Sequence, residues 1–484
     1  MGLDAGGSGG RCLLVEVKSG RVTTAFRSWT HQTAPGSGGW GFDLDLERCW
    51  SLLAEAAREA LERADAGAKQ VLGVAAASMR HTTVVLDGDG RTLLATPNRD
   101  ARAAGEGMQL AAERGNEFHR RTGHWPGPIF AAARLRWLAA NNPGGLDQAS
   151  VFLSFSDWLA YRMCGQFAAE PSQAGETLLF DLETRDWAWD LIESVGLPRR
   201  LFPPIRQPGS RVGGLSQKAA NALGLKAGIP VAVGGADTQC GLLGMGVVAP
   251  GQMGAVAGTT TPLQLVTDRP LMDEKARMWT GHHVLPGRWV LESNAGSTGD
   301  ALEWFAGAFY PDAARPLDWL SAEAAKSTPG ASGVLSTVGA DVMNASQMSL
   351  PIGNLTLSHM AAAQDPSRRR HLARAILEGM AYAVRANADQ ILSVAEVEQS
   401  ELGLAGGMAR SSPWAQIVAD VLNMPVNVPT TTEATALGAA MCAGVGAGVF
   451  DSLSAGAEAL AHTGHHHTPP PLPGVLTPLT GLVM

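Results

Sequence analysis

The stretch 229–239 reads IPVAVGGADTQ, an apolar run that meets a glycine pair and a carboxylate. Two later stretches, AVAGTTT at 255–261 and LGLAGGM at 402–408, also join a short apolar run to glycine. Short apolar runs that are bounded by turn residues are typical of buried strands. We therefore predict three strands, each ending in a glycine cluster, over residues 229–233, 255–257 and 402–405.

Helical segments are expected to follow these glycine clusters. Ser412-Pro413 is a helix-start pair, because proline is favoured in the first turn of a helix. Another helix is expected to begin near Thr432-Glu433. Strands that alternate with helices indicate an α/β fold, and the ligands of such folds bind beyond the carboxyl ends of the strands. The glycine clusters lie at those ends and mark the expected site.

The N-terminal half alternates between strand and helix patterns in the same way. Apolar residues at helical spacing predict a helix over 46–61, and Ser156 is expected to be the N-cap of a later helix. The other predicted elements are strands at 13–17, 21–28, 71–77, 83–86 and 92–95 and a helix at 130–141.

We place a domain boundary near residue 240, which gives domains at 1–240 and 241–460 around a cleft. The tail, 461–484, is rich in His and Pro, and we expect it to be poorly ordered. Within the tail, His465, His466 and His467 suggest a metal-binding tract. Three adjacent side chains do not converge easily on one ion, so we interpret this run as a loop.

Composition and charge restrict the possible partners. The 484 residues carry a formal net charge of −8, which disfavours a nucleic-acid partner. The sequence has no run of about 18 apolar residues and no signal-peptide pattern, so we expect no membrane association and a cytoplasmic location. The five cysteines are far apart and never spaced as C-x-x-C, which predicts neither a disulfide framework nor a zinc site.

Three glycine-rich turns are candidates for phosphate binding, because glycine permits close backbone approach and successive backbone N–H groups form anion-binding nests. Hydroxyl groups beside two of the turns would add donors, and Asp4 is placed to hold Mg²⁺. Taken singly, each turn is more often an ordinary turn than a ligand site, but three in one chain, two of them beside hydroxyl residues, favour phosphate binding. The turns comprise Gly6, Gly7 and Ser8, then Gly258, Thr259 and Thr260, and finally Gly406 and Gly407.

Two better-known nucleotide motifs do not fit the chain. The segment Gly241 to Gly246 matches part of a dinucleotide-binding fingerprint, but it lacks the full G-x-G-x-x-G spacing. A G-x-x-x-x-G-K-[ST] sequence does not occur, so this is not a P-loop protein.

Asp237 is the candidate catalytic residue. A carboxylate at the end of a strand, beside glycine, can face a cleft and take the proton of an alcohol that attacks a phosphoryl group. The alternative is that Asp237 caps a helix that begins near Thr238. Polar clusters at two other strand ends, which contain Met79, Arg80 and His81 and then Asn98, could bind substrate hydroxyls or could be solvated loops.

These segments resemble the FGGY family of carbohydrate kinases over about residues 1–450. The stretches LAGGMARSSPWAQIVAD at 404–420 and EATALGAA at 433–440 are similar to the family's adenosine-binding signature. Residues 234–239 are similar to the segment that carries the family's catalytic aspartate. The turn at 258–260 looks like the family's second phosphate turn.

The resemblance implies two ribonuclease-H-like domains of the actin and hexokinase type, with ATP in the cleft between them. It implies Asp237 as the base, Mg²⁺ as the metal, and Gly299 and Met408 near the nucleotide. Family members are commonly dimers, so a homodimer is possible. The expected reaction is phosphorylation of a hydroxyl of a small sugar-like molecule.

Four segments within the chain are most similar to the kinases that act on the signal autoinducer-2, and more loosely similar to pentulose kinases. They are SMR at 78–80, NRDARAA at 98–104, SDWLAY at 156–161 and TRDW at 184–187. Two residues depart from the pattern. Gly7 stands where the family has threonine in Asp-x-Gly-Thr, and His81 stands where autoinducer-2 kinases have an acidic residue.

The departure at Gly7 keeps a second hypothesis open, in which the protein senses a sugar or signal on the same fold without transferring phosphate. The presence of Asp237 and of the turn at Thr259 favours the kinase hypothesis, because a sensor does not need these residues. A third hypothesis, an actin-like filament, has no support from any pattern in the chain.

Overall fold

The structure is a computed structural model that describes residues 1–142, 144–347, 356–358 and 368–470. Strands and helices alternate along the chain, which confirms the α/β class. The strands are β1 (Gly2–Ala5), β2 (Gly9–Val15), β3 (Val22–Ser28), β4 (Gln32–Thr33), β5 (Phe42–Asp43), β6 (Val74–Ser78), β7 (Thr83–Asp87), β8 (Thr92–Thr96), β9 (Ala149–Leu153), β10 (Arg211–Gly214), β11 (Pro230–Ala236), β12 (Met253–Val256), β13 (Pro262–Thr267), β14 (Trp279–His282), β15 (Trp289–Asn294), β16 (Leu335–Ser336), β17 (Leu357–Ser358), β18 (Leu402–Ala405), β19 (Val426–Pro429) and β20 (Thr463–His467).

The helices pack on the faces of the sheets that these strands form. They are α1 (Leu46–Ala64), α2 (Ala104–Thr122), α3 (Ala131–Asn141), α4 (Gly145–Gln148), α5 (Phe155–Cys164), α6 (Pro171–Gly175), α7 (Trp189–Ser194), α8 (Gln217–Leu223), α9 (Asp237–Met245), α10 (Thr298–Phe309), α11 (Pro316–Ala325), α12 (Arg368–Ala395), α13 (Ser412–Leu422), α14 (Ala434–Gly446) and α15 (Leu453–Leu460). None of the helices in the described ranges has both the length and the apolarity that a membrane crossing requires.

Two large sheets follow the same plan. Sheet 1 has the order β10-β11-β6-β1-β2-β3, and sheet 2 has the order β14-β15-β13-β12-β18-β19-β20. In sheet 1 the antiparallel strands are β1, β2 and β3, and in sheet 2 they are β12, β13 and β15, with β14 on the outer side of β15. In each sheet two later strands, β6 and β11 or β18 and β19, add in parallel beside the first strand. This repeated arrangement is the ribonuclease-H-like, actin and hexokinase plan that the sequence predicted.

Local sequence explains why α13 forms where it does. The Ser411 hydroxyl accepts a hydrogen bond from the backbone N–H of Trp414 at 3.2 Å, and Pro413 occupies the first turn. The buried side chains include Trp414, which is only 1% exposed and packs in the core beneath sheet 2. Asn423 ends the helix in the left-handed conformation at φ 53°.

The glycine pair Gly234-Gly235 lies inside β11, not after it as we predicted, because the strand continues to Ala236. A Cβ atom at Gly234 would lie only 1.9 Å from the carbonyl oxygen of Ala76 on β6. The pairing of the two strands also shifts register between Ala232 and Gly235. These glycines therefore permit close contact between parallel strands and do not form a turn.

Helices α9 and α14 cross where the two sheets meet, and their contact is made mostly by backbone. A Cβ atom at Gly244 would lie 2.0 Å from the carbonyl oxygen of Ala434, and one at Gly438 would lie 2.0 Å from that of Cys240. Only glycine allows so short a distance between helix axes. The crossing brings the first turns of both helices together beside the expected site.

Two other local predictions were wrong. The N-cap of α5 is Ser154, whose hydroxyl accepts from the Asp157 N–H at 3.3 Å, and Ser156 lies inside the helix. The run His465–His467 lies in β20, which pairs antiparallel with β19, so it is not a loop. Pairing with β19 orders this part of the tail, and the expectation for 471–484 falls outside the described residues.

Candidate active site

The carboxyl ends of three neighbouring strands meet at one edge of sheet 1. Strand β1 pairs in parallel with β6, and β6 pairs in parallel with β11, with Ala5, Ser78 and Ala236 in register. The segments that follow these residues are the turn 6–8, residues 79–81 and Asp237. The fold thus brings together three of the clusters that the sequence singled out.

Sheet 2 repeats this arrangement with the other two glycine turns. Strands β12 and β18 are parallel, with Val256 opposite Ala405, so the turn 258–260 and residues 406–408 follow neighbouring strand ends. The Met408 N–H donates to the carbonyl oxygen of Ala257 at 3.1 Å. Gly406 has a φ of 94°, which favours glycine, and its N–H donates to the carbonyl oxygen of Thr432.

Gly299 lies directly beneath the turn at Gly258. The Gly299 N–H donates to the carbonyl oxygen of Thr259 at 3.0 Å, and a Cβ atom at Gly299 would lie 1.9 Å from the carbonyl oxygen of Gly258. The start of α10 therefore supports this turn through backbone contact. No atom would lie within 4 Å of a Cβ atom at Gly258 or at Gly407, so both glycines face open space.

Asp237 is the first residue of α9, and its side chain is 29% exposed. Its Oδ1 atom accepts a hydrogen bond from the Thr238 N–H at 2.8 Å. The capping alternative was wrong, because Ala236 occupies the N-cap position and no side chain caps the helix. Burial raises the pKa of Asp237 to about 6. Arg80 opposes this rise, whereas the carboxylates of Glu292 and Glu176 add to it.

Arg80 is the central cation of the site. Its Nη1 atom donates to Glu176 Oε1 at 3.0 Å and to Glu292 Oε2 at 2.6 Å, and its Nη2 atom donates to Glu292 Oε1 at 2.7 Å. Its Nε atom lies 4.0 Å from Oδ1 of Asp237. Burial disfavours the charge on Arg80, but the two glutamates outweigh burial and raise its pKa.

Aromatic and imidazole rings pack beside Arg80. The rings of His81 and His124 both pack against Phe130 and Trp279, with centroid distances of 5.2 to 5.5 Å. The Nε2 atoms of His81 and His124 lie 3.4 and 3.3 Å from Glu176 Oε2. Burial lowers the pKa of His81 to about 3, so its imidazole is neutral near pH 7.

The backbone of His81 is strained, with a φ of 54° in the left-handed region. The guanidinium of Arg134 donates to the His81 carbonyl oxygen, and this bond together with the packed imidazole holds the conformation. Strain of this kind is found where the surroundings impose a specific side-chain position.

Asp4 lies on β1 with its side chain 14% exposed. Arg11 Nη1 is 3.7 Å from Asp4 Oδ2 and 2.8 Å from Glu433 Oε2, so Arg11 bridges the two carboxylates. Burial raises the pKa of Asp4 to about 7, which Arg11 opposes and the charges of Asp237 and Glu433 reinforce. Within the described ranges, three or more His, Cys, Asp or Glu residues nowhere gather as a metal-binding group.

A single carboxylate such as Asp4 is nevertheless the type of ligand that Mg²⁺ uses when it is also held by phosphates and water. The site therefore fits a metal that enters with a nucleotide, and it does not form a cage for a metal alone.

The structure gives two of the predicted substrate contacts, Met79 and Asn98, different surroundings. Met79 is 1% exposed and packs in the core of sheet 1, while its N–H donates to the carbonyl oxygen of Ala5 at 2.9 Å. The Met79 side chain therefore supports the site from behind. Asn98 is half-buried and faces the first turn, since its Oδ1 would lie 3.9 Å from a Cβ atom at Gly7.

Sequence reasoning missed Glu176 and Glu292 as parts of the site. Glu176 follows α6, and Glu292 lies in the buried strand β15 with a side-chain exposure of only 1%. A glutamate within an apolar strand such as WVLESN at 289–294 is a usable signal, because buried carboxylates are almost always paired. The identity of the partner required the fold.

Known proteins share both the sequence pattern and the fold. Residues 1–244 match the model of the N-terminal domain of the FGGY family of carbohydrate kinases, and residues 253–447 match the model of its C-terminal domain. The autoinducer-2 kinase of Escherichia coli (strain K12) is 34% identical over 482 residues, which cover 97% of this chain and 90% of that protein.

Solved structures agree with these matches. The crystal structure of xylulose kinase from Rhodospirillum rubrum superimposes with a TM-score of 0.81 at 25% identity and covers 97% of this chain and 94% of that one. The crystal structure of Plasmodium falciparum glycerol kinase with ADP gives a TM-score of 0.77 at 19% identity, with coverage of 97% and 93%, and shares the fold.

Proposed function

The chain belongs to the FGGY family of carbohydrate kinases, and on this premise we propose that it transfers the γ-phosphoryl group of ATP to a hydroxyl of a sugar-like substrate with Asp237 as the base. One observation carries the assignment of the base. The Asp237 carboxyl lies at the carboxyl end of β11, partly exposed and 4.0 Å from the Arg80 guanidinium.

In the proposed reaction, the Asp237 carboxylate accepts the proton of the substrate hydroxyl. The hydroxyl oxygen forms a bond to the γ-phosphorus, and the bond between that phosphorus and the bridging oxygen to the β-phosphate breaks, so ADP leaves. A pKa of about 6 suits this task, because Asp237 is ionised near pH 7 yet more basic than an ordinary aspartate.

The glycine turns are proposed to hold the nucleotide. The backbone N–H groups of residues 6–8 and 258–260 would face phosphate oxygens, with hydroxyl donors from Ser8, Thr259 and Thr260. Residues 406–408 and Gly299 would lie near the rest of the nucleotide. Asp4 would hold Mg²⁺, directly or through water, and the metal when bound neutralises charge on the phosphates.

The proposed substrate is autoinducer-2, because the Escherichia coli relative that is named autoinducer-2 kinase aligns over 97% of this chain. A pentulose such as xylulose is the second candidate, supported by the xylulose kinase of Rhodospirillum rubrum at a TM-score of 0.81. Substrate contacts would come from Arg80, His81 and Asn98 beside Asp237. A homodimer and a cytoplasmic location stay predictions from the sequence.

The test is ADP release by the purified protein with Mg-ATP across a substrate panel. The panel holds the autoinducer-2 precursor dihydroxypentanedione, D- and L-xylulose, D- and L-ribulose, glycerol and erythritol. We expect one compound to raise ADP release and the variant Asp237→Asn to abolish that increase. If ATP binds tightly and no compound raises ADP release, the kinase proposal fails and the sensor hypothesis takes its place.

A further inference from the structure

A buried ion pair joins the two domains beside the base. Arg80 follows β6 of sheet 1, and Glu292 lies in β15 of sheet 2. Two parallel hydrogen bonds of 2.6 and 2.7 Å connect the guanidinium to the two carboxylate oxygens. A bidentate bond of this kind fixes the plane of the guanidinium as well as its position.

Glu292 is in turn held from its other side. The Gln264 Nε2 atom, on β13, donates to Glu292 Oε2 at 2.5 Å and to Thr238 Oγ1 at 3.3 Å. The Thr238 N–H donates to Asp237 Oδ1 at 2.8 Å, and the Arg80 Nε atom lies 4.0 Å from that same oxygen. The five residues therefore form a closed ring of polar contacts that runs through both sheets and includes the base.

We propose that Glu292 is a positioning residue for phosphoryl transfer, which holds the Arg80 guanidinium against Asp237 and does not contact the substrate. Its side chain is 1% exposed, so its oxygens are turned toward Arg80 and Gln264 and away from the cleft. This inference rests on the proposed function, because it concerns the base of that reaction.

The charges around Asp237 give the proposal a measurable consequence. Arg80 faces the carboxyl from the end of β6, Glu176 from the end of α6, Glu292 from β15 and Asp4 from β1. Displacement of Arg80 in Glu292→Gln removes an attraction that acts on Asp237 more strongly than the negative charge of Glu292 does. Loss of the cation therefore outweighs loss of the negative neighbour, and the pKa of Asp237 rises.

The experiment compares Glu292→Gln with the wild-type protein and with Glu378→Gln. Glu378 is a matched control, since it is also a buried glutamate (5% exposed) that accepts from an arginine, Arg374 Nε at 2.6 Å, but it lies on α12. We expect Glu292→Gln to lower kcat about 10- to 100-fold through misplacement of Arg80. The KM for the substrate should change little, and the acid limb of the pH–rate profile should move to higher pH.

Glu378→Gln should lose stability without a change in that profile. Glu292→Asp keeps the charge on a shorter side chain, so it should also displace Arg80, and it replaces Glu292→Gln if the latter does not fold. In that case the proposal predicts that Glu292→Asp lowers kcat and moves the acid limb to higher pH, and a kcat equal to that of the wild type overturns the proposal. A folded Glu292→Gln variant with wild-type kcat and pH profile also overturns it.

A wild-type protein that phosphorylates nothing in the panel would refute the proposed function only. The ring is then tested by ¹³C NMR titration of the Asp237 carboxyl, assigned with Asp237→Asn. We expect its pKa to be higher in Glu292→Gln than in the wild type. An unchanged or lower pKa in that comparison overturns the positioning role.

Discussion

The Nε atom of Arg80 lies 4.0 Å from Oδ1 of Asp237, near enough for strong charge attraction but too far for a hydrogen bond. A direct hydrogen bond to the guanidinium would stabilise the carboxylate and make it a weaker base. At 4.0 Å the attraction only partly offsets the effect of burial, which raises the pKa of Asp237 to about 6. The separation of these two groups therefore leaves the proposed catalytic residue more basic than an ordinary aspartate.

Replacement of Asp237 by asparagine should remove the chemical step and leave the fold intact. The amide oxygen of asparagine can still accept the hydrogen bond from the Thr238 N–H, but the amide cannot take a proton. We expect kcat to fall by about 10²- to 10⁴-fold, the range of general-base contributions. Coupled ADP-release kinetics measure this loss, and calorimetry of ATP binding is the control. Substantial residual turnover would assign the base to another residue.

Activity should rise with pH through about 6. The pKa of Asp237 is raised from 3.8 to about 6, so the carboxyl is protonated below that pH and cannot accept the substrate proton. The logarithm of kcat/KM should therefore fall with a slope of one below about pH 6 and level off above it. Buffers that span both sides of this value test the prediction, and a profile that stays flat well below pH 6 contradicts it.

Introduction of threonine at Gly7 should strengthen nucleotide binding. A Cβ atom there would meet only Asn98 Oδ1, at 3.9 Å, so the backbone and its surroundings accept a side chain. A restored hydroxyl adds one hydrogen bond, worth about 0.5–1.5 kcal/mol, or roughly a 2- to 12-fold lower KM for ATP. Gly7→Val is the control, because it has the shape of threonine and lacks the hydroxyl. Equal gains in both variants would attribute the effect to a stiffer turn.

Alanine at Gly299 should disrupt the turn 258–260, which we propose binds phosphate. Its Cβ atom would lie 1.9 Å from the carbonyl oxygen of Gly258, a clash with backbone that a rotamer change cannot relieve. We expect the KM for ATP to rise at least about tenfold, because the turn must move away from the proposed phosphate position. Gly307→Ala is the matched control on the same helix, since a Cβ atom at Gly307 has no neighbour within 4 Å. Similar kinetics for both variants would show that the turn tolerates displacement.

Local patterns predicted much of the fold. Strand β18 begins and ends at the predicted residues, Leu402 and Ala405, and α1 begins at Leu46 as expected. Two of the failures have a common cause, because they depend on distant parts of the chain, whereas the cap of α5 was misplaced by only two residues. The glycines inside β11 permit close contact with Ala76 on β6. Residues His465–His467 form a strand only because they pair with β19.

For the candidate site as well, local features were predictable from sequence and contacts between distant residues were not. Asp237 and the glycine turns were recognisable because each lies at the end of an apolar run. Glu292 was not, because its significance comes from Arg80, which is 212 residues away in sequence. Met79 was placed among the substrate contacts by its neighbours in sequence, yet directly after β6 its side chain is buried in the core.

The crossing of α9 and α14 has a mechanical consequence. At Gly244 and Gly438 the two backbones lie so close that a single methyl group would come within 2.0 Å of a carbonyl oxygen of the other helix. Helix α9 contacts strands of both sheets and begins at Asp237, and Thr435 of α14 donates to the Asp237 carbonyl oxygen at 3.0 Å. A methyl group at Gly438 would therefore force α14 away from Cys240 and displace the proposed base without touching its carboxylate.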